Sequence, residues 1–136
     1  MNNFIKFLIR YPIEFILFLY FFILFKILPL SLARHLGSLI ATSIGPLLPV
    51  HGIAEKNLKI AFPDKENEWR RKILKKIWHN FGCIMAEYSH LKEILNKRIN
   101  IINNENSKDF FDGNSANIIV SAHSSNWEIP GMSCKI

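Results

Sequence analysis

From Ile13 to Phe25 the chain is apolar at every position except Glu14, and this run limits the folds open to it more than any other feature. Pro12 suits the first turn of a helix, where its missing N–H costs nothing. Pro29 marks the stop. A helix from Pro12 to Leu28 would be about 25 Å long at 1.5 Å per residue. That is the short limit for crossing a hydrocarbon core of roughly 30 Å. Phe15, Phe18, Tyr20, Phe21, Phe22 and Phe25 are spread around such a helix and leave no face for water. Lys26, near its carboxyl end, can snorkel to the headgroups and so avoid a cost of about 3 kcal/mol for a charge at the bilayer centre. A single marginal span and a deeply inserted monotopic helix both fit. The alternatives are a buried helix of a soluble protein and a secretory signal. Lys6 and Arg10 would supply a signal's basic region, but no clean Ala-x-Ala cleavage site follows Pro29. Positive charge on both sides of the segment leaves the orientation of the amino terminus open.

Composition changes near Val50. Most long apolar runs precede it and most of the charge follows it, which divides the chain into a membrane anchor and interfacial segment (1–50) and a water-facing part (51–136). Leu36 to Val50 is apolar but broken by Gly37, Gly45, Pro46 and Pro49, so an interfacial or core-packed segment is expected rather than a second span. The formal net charge is +6, which suits nucleic acid, anionic lipid or an acidic protein. The apolar amino terminus turns that choice towards lipid, and neither zinc-finger spacing nor an RNA-binding signature supports nucleic acid. The Lys and Arg residues that crowd the region after residue 55 favour a cytoplasmic domain. Cys83 and Cys134 form no Cys-x-x-Cys and read as small core residues in a reducing compartment.

Asp64 is placed to cap a helix that begins just after Pro63. Trp69, Ile73, Ile77, Phe81, Ile84, Tyr88 and Leu91 then recur at steps of four and three, the period of one buried face. Arg70, Arg71, Lys72, Lys75 and Lys76 fall on the remaining surface. They form either a solvated face or a contact for anionic headgroups or an acidic carrier protein.

The candidate chemistry lies near the carboxyl end. Ile118, Ile119 and Val120 predict a short buried strand over residues 117–122. His123 follows, then a polar turn of Ser124, Ser125 and Asn126, then Trp127 and Glu128. Pro130 and Gly131 predict that any helix there starts late. On one straight helix His123 and Glu128 would point about 140° apart and could not meet. At a strand end followed by a tight turn they can. The carboxylate would then hold Nδ1–H of the imidazole and leave Nε2 free to take a proton from an attacking hydroxyl. Of the five histidines, only His123 has an acid at this offset. No histidine spacing suggests a metal site.

The block Val-Ser-Ala-His-Ser-Ser-Asn-Trp-Glu resembles the catalytic block of the late acyltransferases of lipid A biosynthesis. Asn57-Leu58 followed by Ala61-Phe62-Pro63, and Gly82 with Glu87, match further positions of that family in the same order. The resemblance covers essentially the whole chain. It implies a glycerolipid-acyltransferase-like α/β fold with an amino-terminal membrane helix and a helix-rich first half. It implies His123 as general base, Glu128 as its orienting carboxylate, and Asn126 and Trp127 as substrate-binding residues. The donor would be an acyl carrier protein thioester and the acceptor a hydroxyl of a lipid A precursor, with no metal or other cofactor. The location would be the bacterial inner membrane, catalytic part towards the cytoplasm. Glycerol-phosphate acyltransferases use a similar spacing, but usually with Asp and without the Asn-Trp. Family members run to roughly twice this length, so the expectation is an amino-terminal, truncated copy that is inactive alone. The alternative from another class is a non-enzymatic membrane-anchored remnant or accessory peptide.

Overall fold

The computed structural model describes residues 6–100, 126 and 128–133. Among these residues the chain is helical, with no strand; the strand expected over 117–122 lies outside them. The chain forms two compact units, Met1–His90 and Leu91–Ile136.

In the first unit a π-helical turn, Lys6–Arg10, leads into α1, Tyr11–Ile27. Phe7–Ile27 is long and apolar enough to cross a membrane, and within α1 only Phe25 is buried by the rest of the protein. The helix begins slightly earlier than the sequence suggests, with Pro12 in its first turn. It ends where the Leu28 N–H reaches the Leu24 carbonyl, one residue before Pro29.

Helix α2, Leu30–Ile44, runs on into a 3-10 turn, Gly45–Leu47. Then α3, Pro49–Ala61, turns away by 84°. In α2 Leu30, Ala33, Gly37 and Ser38 are buried, whereas Leu39, Ile44, Leu47, Leu48 and Val50 of the broken apolar stretch are exposed. The partner of α2 is α4, Asn67–Glu87, the longest helix among the described residues. Packing therefore continues across the change of composition at Val50.

The α2–α4 contact is a crossing of small residues. Ala33, Gly37 and Ala41 on α2 and Gly45 at the start of the 3-10 turn recur every fourth position, one stripe along the chain. They face Trp78, Gly82 and Ala86 on α4, also four apart. A Cβ on Gly82 would overlap the Gly37 carbonyl oxygen, and one on Gly37 would overlap the Gly82 carbonyl oxygen. A Cβ on Gly45 would enter the Trp78 indole ring. Two backbones approach this closely only where side chains are absent.

This crossing corrects the face assigned to α4. The period is as expected, but the buried stripe is Leu74, Trp78, Gly82 and Ala86, displaced by one residue or about 100°. Ile77 and Phe81 are 44% and 49% exposed, and Trp69, Ile73 and Ile84 are only half-buried. Arg70, expected at the surface, is buried. Lys72, Lys75 and Lys76 are exposed as expected. Hydrophobicity marked the bulky stripe. Close packing selected the neighbouring stripe of small residues, which a hydrophobic period does not report.

The start of α4 is corrected too. It begins at Asn67, with Glu66 before it making no side-chain cap, and Asp64 lies in the preceding turn. Arg70 organises that turn. Its guanidinium donates to the Phe62 carbonyl at 3.2 Å and to Asn67 Oδ1 at 2.6 Å. Phe62 packs edge-on against Trp69, with ring centroids 5.2 Å apart. The Asn57-Leu58 and Phe62-Pro63 block is thus the corner between α3 and α4. The Trp78 indole N–H donates to His51 Nδ1 at 2.9 Å and ties α3 to α4 a second time.

The end of α4 is tied to the end of α1 by a reciprocal pair of bonds. In a continuous helix the Phe25 carbonyl would accept from the N–H four residues on, but that residue is Pro29, which has none. Buried His90, in the 3-10 turn Tyr88–His90, takes its place, with Nε2 at 2.8 Å from that carbonyl. A carbonyl only accepts, so Nε2 carries the proton. Lys26 Nζ in turn donates to the Ser89 carbonyl at 2.8 Å. Alongside, Arg34 of α2 pairs with Glu87 of α4 at 3.2 Å, the carboxylate nearly buried. Gly82 and Glu87 therefore hold helices together.

In the second unit, α5 (Leu91–Arg98) packs against α6 (Glu128–Ser133). Ile94 is its buried apolar residue on α5.

Candidate active site

Two of the four site residues expected from the sequence are described. Asn126 is buried, 6% exposed, immediately ahead of α6. Its carbonyl accepts the Ile129 N–H at 3.3 Å, which turns the chain into the helix. Glu128 is the first residue of α6 and is half-buried. His123 and Trp127 lie outside the described residues.

The helix at this site starts earlier than Pro130 and Gly131 suggested. Glu128 opens it, and Pro130 falls within its first turn, where a missing N–H breaks no intrahelical bond. Glu128 thereby sits at a fixed point, the junction of a turn and a helix. Its carboxylate starts from backbone whose direction is set by the Asn126 carbonyl.

Among the described residues no cluster of His, Cys, Asp or Glu could hold a metal ion. The first unit holds other buried polar groups, of which sequence reasoning singled out Glu87 and passed over Ser89 and His90. His90, Ser89 and Glu87 are buried at the end of α4. Their bonds to α1 and α2 give them structural work. The one signal for His90 in the sequence was Pro29, which removes a donor and so calls for another.

No curated protein and no solved structure matches the chain. The model of one family, described as bacterial lipid A biosynthesis acyltransferase, matches residues 4–135.

Proposed function

Since this chain belongs to the bacterial lipid A biosynthesis acyltransferase family, we propose that it serves the transfer of a fatty acyl chain from an acyl carrier protein thioester to a hydroxyl of a lipid A precursor. The observation that carries the proposal is the block His123-Ser-Ser-Asn126-Trp127-Glu128, which lies inside the matched residues. The fixed start of α6 at Glu128 and the buried Asn126 beside it support a shaped polar site at this place.

In this mechanism Glu128 accepts Nδ1–H of His123 and sets the tautomer. Nε2 of His123 takes the proton of the acceptor hydroxyl as its oxygen bonds to the thioester carbonyl carbon. The carbon–sulfur bond then breaks, the imidazolium returns the proton to the departing thiolate, and an ester and a free carrier thiol result. Asn126 and Trp127 contact substrate. His123 stands at the end of a strand over 117–122 that belongs to an α/β acyltransferase domain. Residues 1–50 anchor that domain, residues 51–136 contribute its first part, and α1 holds it at the cytoplasmic face of the inner membrane.

The test is acyl transfer by the complete enzyme with an acyl carrier protein thioester and a lipid A precursor. His123→Ala is expected to lower the rate by about 10²–10⁴-fold, the usual worth of a general base. Glu128→Ala is expected to be severe as well, because the imidazole loses both its orienting acceptor and the charge that stabilises its protonated form. Near-normal transfer by the His123→Ala protein, folded by circular dichroism, would reject the mechanism.

A further inference from the structure

Beside the α2–α4 crossing lies an open groove of about 570 Å³, within the range of roughly 300–1,000 Å³ typical of small-molecule sites. Its walls are mostly apolar, with Leu39 from α2 and Trp69 and Ile73 from α4. Lys72, Lys75 and Lys76 also line it, and among the described residues no carboxylate does. On α4, Trp69, Lys72, Ile73 and Lys76 fall at steps of three and one, so apolar and cationic side chains share one stripe. Lys72 is paired with Glu68 at 2.8 Å on the exposed surface. Among the described residues, neither Lys75 nor Lys76 is in an ion pair. Lys65 adds a further cation, with Nζ 5.9 Å from the centre of the Trp69 ring.

We propose that this groove binds one anionic phospholipid, with an acyl chain along Leu39, Trp69 and Ile73 and the phosphate on Lys75 and Lys76. Charge complementarity and the apolar wall argue for one molecule that carries both parts. A free phosphate would use the lysines and leave the apolar wall wet. The surface of an acidic protein would also use the lysines, but without an attached acyl chain it leaves the apolar wall empty, and an acyl carrier protein brings such a chain only as the thioester of the transfer reaction. A lipid surface supplies both, and basic residues beside it gain most where the headgroups are anionic. The residues that line the groove all belong to the first unit, and binding to them needs no acyl transfer to be detected.

The experiment is native mass spectrometry of the full chain in detergent micelles, with dioleoyl phosphatidylglycerol or dioleoyl phosphatidylcholine added. Retention of a single phosphatidylglycerol is expected, with about tenfold preference over phosphatidylcholine. The double variant Lys75→Glu, Lys76→Glu changes exposed residues only and is expected to abolish that preference. Thr42→Trp, which fills the groove from α2, is expected to lower retention of both lipids. Equal retention of the two lipids by the unaltered chain would overturn the proposal. So would unchanged phosphatidylglycerol retention in both variants. Displacement of the lipid by millimolar inorganic phosphate would mark a simple anion site and reject a lipid site. Binding of an acidic carrier protein that is lost in the lysine variant, while lipid retention is unchanged, would assign the patch to a protein instead.

Discussion

Gly82 and Gly52 are the same residue type in two helices, and the structure assigns them opposite responses to one added methyl group. At Gly82 the new carbon meets the Gly37 carbonyl and the Ala41 methyl group. Backbone cannot rotate away, so α2 and α4 must separate, at a cost of about 1–3 kcal/mol for overpacking. At Gly52, inside α3, the added carbon meets nothing within 4 Å. Alanine there is expected to stabilise by about 0.5–1 kcal/mol, because it restricts the unfolded chain and favours helix. Thermal unfolding of Gly82→Ala and Gly52→Ala in the same detergent checks both signs. A higher midpoint for Gly82→Ala would mean that the crossing is looser than described. His90 makes a similar case with polar atoms. His90→Leu leaves the Phe25 carbonyl without its donor in a buried place, a loss of about 1–3 kcal/mol. A midpoint within experimental error of the parent would show that the carbonyl finds another donor.

At the scale of elements, α1 and the period of α4 were legible in the sequence and the face of α4 was not. The apolar run from Ile13 and the two prolines locate α1 to within a residue of its ends. For α4, the steps from Trp69 to Phe81 give the helix but point to the wrong stripe. Ile77 and Phe81 are large and apolar, yet the contact with α2 is made where side chains are small. A reading that scores hydrophobicity passes over glycine and alanine, and so misses a crossing built from Gly37, Ala41, Gly82 and Ala86. The start of α4 was missed for a related reason. Asp64 has the chemistry of a cap, but Arg70 fastens the Phe62 carbonyl and the turn is spent before the helix begins. At the candidate site the spacing from His123 to Glu128 was legible. The start of the helix at Glu128 was not, because a proline signals a break, whereas Pro130 in the first turn is harmless. Substituting Arg70 by Met tests the corner. It keeps much of the stem and removes both donors, so loss of about 1–3 kcal/mol is expected, with the far-ultraviolet spectrum still helical.

For the molecule as a whole, Phe7–Ile27 leaves uncovered an apolar surface long enough to cross a membrane. Binding through that surface is expected to persist at high salt, whereas binding through Lys72, Lys75 and Lys76 would be screened within about 10 Å or less. Membranes washed with concentrated salt should therefore retain the protein; its release into the wash would assign the attachment to the basic helix. The clip between α1 and the turn at Tyr88–His90 adds a requirement in time. The donor for the Phe25 carbonyl lies 65 residues downstream. At translation rates of about 5–20 residues per second, the ribosome needs roughly 3–13 seconds to make it. For that interval the end of α1 carries an unfilled acceptor and an unanchored lysine, and only the arrival of Ser89 and His90 closes it. In nascent chains stalled on either side of that point, trypsin should cut after Lys26 in the shorter chain and be blocked in the longer one.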